Sequence, residues 1–406
     1  MLKDWIWLTT RKGLGARGVL QVLDYFGSPE RAFYADPEQY DQIPGLSALA
    51  RSSLREKGME GPDRILGECD RLGLRVLTLQ DGDYPERLRE IPDPPAVLYI
   101  RGTLFHFDQE AAIGIVGARE PSPYGEKVAA QLGLELARNG VLLVSGIAQG
   151  IDSIALKGAL QGGGRVVSVL AGGVDVPYPW QNRYLYEDVA AAGALISEYP
   201  PGTRPNGEHF PVRNRIISGL ALGVVAVECA RHSGTMLTVN HAMEQNRDVF
   251  AIPGNIDAPM SEGPNWLLRQ GARPVTCAQD ILEEYVDRFP EKLSKAVPLS
   301  PEAAQQRLEQ IKPREERQEP SAKAEVKREV VPKERQKARF TDDQLSILHT
   351  LGEKQKTYTA DELVELTQIP ARRVLTALTM LQIPGHVTEG PGKRFQASVR
   401  LRTEEG

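Results

Sequence analysis

Six short apolar runs, at residues 112–117, 141–146, 165–172, 194–199, 224–229 and 248–253, alternate with helix-length amphipathic segments and limit this chain to few folds. Their near-continuous Val, Ile, Leu and Ala content is that of strands covered on both faces, with the intervening helices as crossovers. The pattern predicts an α/β fold, an extended Rossmann-like, doubly wound, mainly parallel sheet. Five of the runs lead into glycine: Gly117, Gly146, Gly172-Gly173, Gly202 and Gly254. Loops at the carboxyl ends of parallel strands line the binding crevice, so one crevice ringed by glycine-rich loops is expected.

A chain of 406 residues exceeds what one core usually organises. Residues 1–80 read as a helical domain with two small-residue turns, Gly13-Leu14-Gly15 and Ile43-Pro44-Gly45-Leu46. That is a helix-hairpin-helix or SAM-like form, in which the turns either bring helix amides to a phosphate or simply join helices. Residues 81–290 form the Rossmann-like domain. Residues 291–339 hold 22 charged residues and five prolines and read as a charged linker, with helical pieces such as 301–311. Residues 340–406 have the order of a winged helix: three helices, a capping box from Thr359 to Glu362, and a hairpin around Gly390-Pro391-Gly392. Ile383-Pro384 breaks the end of its third helix, and Arg372 and Arg373 lie on the outer turn of that recognition helix. Its slightly acidic balance leaves both protein and DNA open as its ligand.

Several function classes drop out. Cys69, Cys229 and Cys277 are odd in number and lack metal-ligand spacing, which argues for a reducing compartment and against a disulfide scaffold or a metal site. No apolar run approaches the ~20 residues of a membrane helix, and the first residues lack a secretory apolar region, so no membrane partner and a cytoplasmic location are expected. G-x-G-x-x-G and G-x-x-x-x-G-K-[ST] are both absent, so no nucleotide cofactor is expected. Residues 81–290 carry 17 basic against 25 acidic residues, too few for a broad duplex-binding face. Yet 15 of those 17 are Arg, with Lys127 and Lys157 the exceptions, which points to a local arginine pocket for an anion.

The loops supply the candidates. Gly117 permits a tight turn before a helix, with Arg119 pointing into the crevice and the helix N-terminus after Pro123 open to an anion. Ser145 and Gly146 begin the second loop, where Ser145 can donate to a ligand; Asp152 there is either a helix N-cap or a site residue. The third loop, Tyr178 to Arg183, interleaves Tyr178 and Trp180 with arginine, as single-stranded nucleic acid requires, although both rings can equally pack at a strand end. Arg213, Asn214 and Arg215 crowd a helix start. Either an anion neutralises them or they pair with Glu198 and Glu228, and one arginine of each kind is expected. Ser233, Gly234 and Thr235 form a further anion nest.

Six segments, 115–125, 144–160, 169–186, 196–220, 231–254 and 263–272, together closely resemble the DNA-processing protein A family (DprA, also called Smf). The match runs through nearly all of 81–285, and the helical and winged-helix flanks look like those of longer members. The resemblance implies a single-stranded-DNA-binding protein without catalytic residues, which protects incoming strands and loads the RecA recombinase during natural transformation. It also implies a homodimer formed through the Rossmann-like domain. Carried over by position, the DNA pocket comprises Gly117, Arg119, Ser145, Gly146, Tyr178, Arg183, Arg213, Asn214 and Arg215. Many relatives have Lys or Arg where this chain has Trp180, and Arg183 could supply that charge. A competing reading is a nucleotide-processing phosphoribohydrolase related to lysine-decarboxylase-like Rossmann enzymes. Such a site needs a Glu soon after Gly234-Thr235, and here none occurs before Glu244.

Overall fold

The computed structural model describes residues 1–103, 105–293, 329–332, 336, 340–353, 357–382, 384–390 and 394–401. The chain divides into two compact units, Met1–Leu299 and Ser300–Gly406. The first is built on nine strands: β1 (Arg75–Thr78), β2 (Val97–Gly102), β3 (Ala112–Val116), β4 (Leu142–Ser145), β5 (Val166–Val169), β6 (Ala194–Ser197), β7 (Gly223–Ala226), β8 (Asp248–Ala251) and β9 (Arg273–Pro274). Their order is β1-β2-β6-β5-β4-β3-β7-β8-β9, antiparallel at β1–β2 and β2–β6 and parallel elsewhere. From β3 the chain winds outward through β4, β5 and β6, then returns to the other side of β3 as β7, β8 and β9. The sheet therefore reverses its order between β3 and β7, the place where such folds open a crevice.

Alternate residues of the central strands feed two cores. Ile113, Ile115 and Leu143 face helices α7 (Pro123–Arg138), α8 (Ile151–Gln161) and α9 (Arg183–Ala192). Ala112, Val116, Leu142 and Val144 face α6 (Glu86–Arg89), α10 (His209–Leu220) and α11 (Gly234–Glu244). Cover on both faces explains why these strands read as unbroken apolar runs. Helices α7 and α8 cross through Gly133 and Gly158. A Cβ on Gly133 would stand 2.3 Å from the Ala155 carbonyl, and one on Gly158 would stand 2.3 Å from that of Ala130.

Five helices, α1 (Leu2–Thr9), α2 (Gly15–Phe26), α3 (Pro29–Tyr34), α4 (Ala48–Leu54) and α5 (Glu60–Leu72), precede the sheet. Gly27 ends α2 in the left-handed region at φ 78°, and the Ser28 hydroxyl caps α3 by accepting from the Arg31 amide. Trp5, Trp7, Leu8 and Tyr40 share a core with Val97 and Tyr99 of β2. The boundary expected at residue 80 thus falls beyond β1, which belongs to the sheet, and the helices complete their core against its antiparallel margin. Strands β1 and β2 at one margin of the sheet and β9 at the other are additions to the six read from sequence. Helices α12 (Glu262–Arg269) and α13 (Gln279–Leu282) flank β9.

The second unit contains helices Asp342–Glu353, Ala360–Thr367 and Ala371–Gln382 and the hairpin Val387–Gly390 with Arg394–Ala397, around a core that includes Ile347, Leu363, Val374 and Phe395. The Thr359–Glu362 capping box is present. Glu329–Val331, inside the expected linker, pairs in parallel with Val399–Leu401. Arg373 of the recognition helix is clamped by both oxygens of Asp343, at 2.8 and 2.7 Å, so only Arg372 of that pair lacks a carboxylate partner among the described residues. The helical piece at 301–311, most of the linker, Ile383 and the Pro391-Gly392 turn lie outside the described residues. Among those described, no helix is long and apolar enough to cross a membrane.

Gly158→Ala should lower stability by about 1–3 kcal/mol, because a methyl group there forces two helix backbones apart. Urea unfolding should show an earlier midpoint at unchanged slope.

Candidate nucleic-acid interface

Between the loops that follow β3 and β7 lies a cleft of about 750 Å³. Gly117, Arg119, Asp152, Tyr178, Phe210, Arg213, Asn214 and Ser233 to Thr235 line it, bringing together residues separated by more than a hundred positions.

Its floor is held by a carboxylate of the protein itself. Asp152 is buried and accepts from the backbone amides of Gly117, Gly146 and Ala148. Burial pushes its carboxyl up, while the Arg213 guanidinium and the three amides pull against that. The residue preceding α8 is Gly150, at φ 82°, so Asp152 is not the helix cap; it ties two loops together from within the first turn. The N-terminus of α7 is filled in the same way. Glu228 accepts from the Ser122 amide at 2.8 Å and its hydroxyl at 2.6 Å, while the Ser122 hydroxyl accepts from the Gly125 amide. Two of the expected anion nests are therefore occupied by side-chain carboxylates.

This changes the part of several expected site residues. The Ser145 hydroxyl is buried and donates to the Ile115 carbonyl at 2.7 Å, so it is not presented to a ligand. Gly146 allows a close approach, since a Cβ there would meet Arg213 Nη1 at 2.2 Å. Gly117 similarly makes room for Ile151. Both glycines serve packing of the floor.

The two arginines of α10 diverge. Arg215 is structural: Nη1 and Nη2 donate to Glu198 at 2.9 and 2.7 Å, and Nε donates to the Asp93 carbonyl at 2.8 Å, outside the cleft. Arg213 lines the cleft but is only 4% exposed, with Nη1 donating to the carbonyls of Gly146, at 2.9 Å, and Val169. The expected ion pair to Glu228 does not form, because Glu228 is engaged at Ser122. Arg213 therefore supplies positive charge beneath the floor rather than a free guanidinium.

The mouth is different. Arg119 is exposed and makes no hydrogen bond or ion pair among the described residues; its guanidinium carbon lies 5.3 Å from the Phe210 ring centre. Phe210, absent from the sequence-derived set, has Arg213 on it at 5.9 Å and Tyr178 at 5.8 Å. Tyr178 is pinned by Tyr186, whose hydroxyl accepts from the Tyr178 amide and donates to its carbonyl, both at 2.9 Å. On the opposite wall, Ser233 does not cap α11 with its side chain, so the first amides of that helix, at Gly234 and Thr235, remain open. Asn214 secures this wall by donating to the Gly234 carbonyl at 3.4 Å. Arg183 sits beyond the cleft, over Trp180 and Tyr184. Among the described residues no cluster of three or more His, Cys, Asp or Glu could hold a metal ion.

The family model for DNA recombination-mediator protein A matches residues 75–286, and that for the DprA winged helix domain matches 331–393. Protein Smf of Synechocystis sp. is 31% identical over 405 residues, covering 97% of this chain and 98% of its own. DNA processing protein DprA of Bacillus subtilis is 37% identical over 262 residues, covering 63% of this chain and 88% of its own. The crystal structure of DNA processing protein A from Streptococcus pneumoniae superposes with a TM-score of 0.62 at 34% identity, over 69% of this chain and 97% of that one.

Glu198→Ala should leave the Arg215 guanidinium buried without its partner and cost about 3–5 kcal/mol. Arg119→Ala should stay within about 0.5 kcal/mol of the parent in the same denaturant titration, since its exposed side chain has no hydrogen bond or ion pair to lose.

Proposed function

The chain belongs to the DNA recombination-mediator protein A family, and from that premise we propose that its cleft grips single-stranded DNA without catalysing a reaction on it. In this reading the protein works in the cytoplasm as a homodimer formed through the Rossmann-like domain, shields incoming single strands, and loads RecA onto them during natural transformation. The observation that carries the binding step is Arg119: an exposed, unpartnered guanidinium beside an aromatic ring, at the point where the sheet order reverses. A guanidinium holds a phosphate by two parallel hydrogen bonds, while rings such as Tyr178 and Phe210 accept any base face. Arg213 deepens the positive potential from below, and the open amides of Gly234 and Thr235 offer a second phosphate contact. Gly117, Ser145 and Gly146 enter as the scaffold of the pocket. Such contacts carry little base information, so binding is largely indifferent to sequence.

The hydrolase alternative meets a distance problem. Glu244, the first carboxylate after Gly234-Thr235, is the last residue of α11. At 1.5 Å per residue it stands roughly 15 Å from the open end of that helix.

Arg119→Ala should weaken binding of an oligodeoxythymidine roughly tenfold, the value of about one charged hydrogen-bond contact. It should also reduce the slope of log affinity against log salt by about 0.7, one phosphate on a single strand. An unchanged filter-binding curve would remove Arg119 from the site. The 1–290 fragment should remain dimeric in sedimentation, because the proposed interface lies in the Rossmann-like domain; a monomer would assign dimerisation to the remaining residues.

A further inference from the structure

Three aromatic or charged residues just past the cleft have no structural partner that explains them. Trp180 is 64% exposed and Tyr184 69% exposed, so neither packs at the strand end. Arg183 lies over both, its guanidinium carbon 5.2 Å from the Trp180 ring and 4.2 Å from the Tyr184 ring, with Nη2 donating to the Tyr184 hydroxyl at 2.8 Å. The acid one helical turn on, Glu187, is diverted to Arg101 at 2.6 Å, and Arg183 has no carboxylate partner among the described residues. The turn that presents the cluster is fixed: Asn182 Nδ2 donates to the Ile147 carbonyl at 3.0 Å, and Tyr186 holds Tyr178. Two large rings on a fixed turn, each with at most one face covered by a cation, form a rigid apolar surface with an uncancelled positive charge.

We propose that Trp180 and Tyr184, braced by Arg183, are a stacking platform for an unpaired nucleobase outside the cleft. The proposal rests on the single-strand reading above and extends it: a strand leaving the cleft past Tyr178, two residues before Trp180, passes directly onto these rings. The occupant follows from the chemistry. A flat π-system beside an anionic backbone matches two exposed rings beside a guanidinium that no carboxylate neutralises among the described residues, and the surface continues a cleft already suited to the same ligand. Trp180, which stands where many relatives carry a cation, then contributes stacking rather than charge.

The test uses the full-length protein with a long oligodeoxythymidine and an abasic oligomer of equal length, titrated across salt. Trp180→Ala should lower affinity for the oligodeoxythymidine about tenfold without changing the salt slope, because a lost stack releases no counterion. Trp180→Phe should retain most of the affinity, and binding of the abasic oligomer should be insensitive to either change. Should Trp180→Ala match the parent while Arg119→Ala weakens binding, the platform is wrong and the cleft reading stands. A loss by Trp180→Ala that is equal on the abasic oligomer would also overturn the platform. A parent protein that binds neither oligomer would overturn the underlying function first. Unchanged thermal unfolding of each variant certifies that the fold is intact.

Discussion

The Asp152 carboxylate is the constraint on which the site depends. It gathers the amides that follow β3 and β4, and Arg213 stands against it as counter-charge. A buried carboxylate is tolerable only when hydrogen bonds and an opposite charge replace its hydration. Here that requirement fixes loops from separate strands, because three donors from two chain segments must converge on one group. Gly117 and Gly146 follow from the same demand, since side chains at either position would collide with Ile151 or Arg213. Glu228 does for α7 what Asp152 does for these loops.

Filling two nests from within has a functional consequence. An anion arriving from solvent finds the amides of the floor already engaged, so attraction at the mouth falls to Arg119 and to the open end of α11. The pocket separates a buried layer that sets shape from an exposed layer that meets the ligand. Arg213 belongs to both: its hydrogen bonds go to carbonyls of the protein, while its charge reaches the cleft.

Much of this was legible in the chain. Unbroken apolar runs identify β3 to β8 because strands covered on both faces have no polar alternation to blur them, and each following glycine marks a loop of the crevice. Strands β1, β2 and β9 escape the same reading: β9 has only two residues, and β1 and β2 join the sheet antiparallel, outside the strand–helix alternation that marks the others. The capping box at Thr359 is a local three-residue geometry and was readable for that reason. Arg213 and Arg215, two positions apart on one helix, differ in sequence by nothing that assigns the partner; Glu198 and the Gly146 carbonyl are chosen by the fold. Asp152 as a hub for loop amides was equally hidden, because an acid in the first turn of a helix usually interacts with its own helix. Phe210 could have been found, as an aromatic residue three positions before Arg213 on the same helix face.

The arginine bias of residues 81–290 then has two origins. Most of these side chains are structural. Arg87 and Arg247 reach buried carbonyls, while Arg101, Arg165, Arg215 and Arg273 pair with carboxylates. Arg138 and Arg269 end α7 and α12, where the helix dipole favours a cation. A guanidinium suits these tasks because its planar fork spans two acceptors and remains charged when buried. Arg89 pairs with Glu86, Arg213 bonds carbonyls of the floor, and Arg288 lies over Phe289 past α13; the other four, Arg119, Arg183, Arg204 and Arg231, lie in segments following the carboxyl ends of β3, β5, β6 and β7, and none has a carboxylate partner among the described residues. An acidic body can thus hold a cationic rim, because its acids are neutralised locally by the structural arginines. Over the Debye length of about 8 Å in physiological salt, a phosphate near the rim responds to the guanidinium nearest it more than to the net charge of the chain.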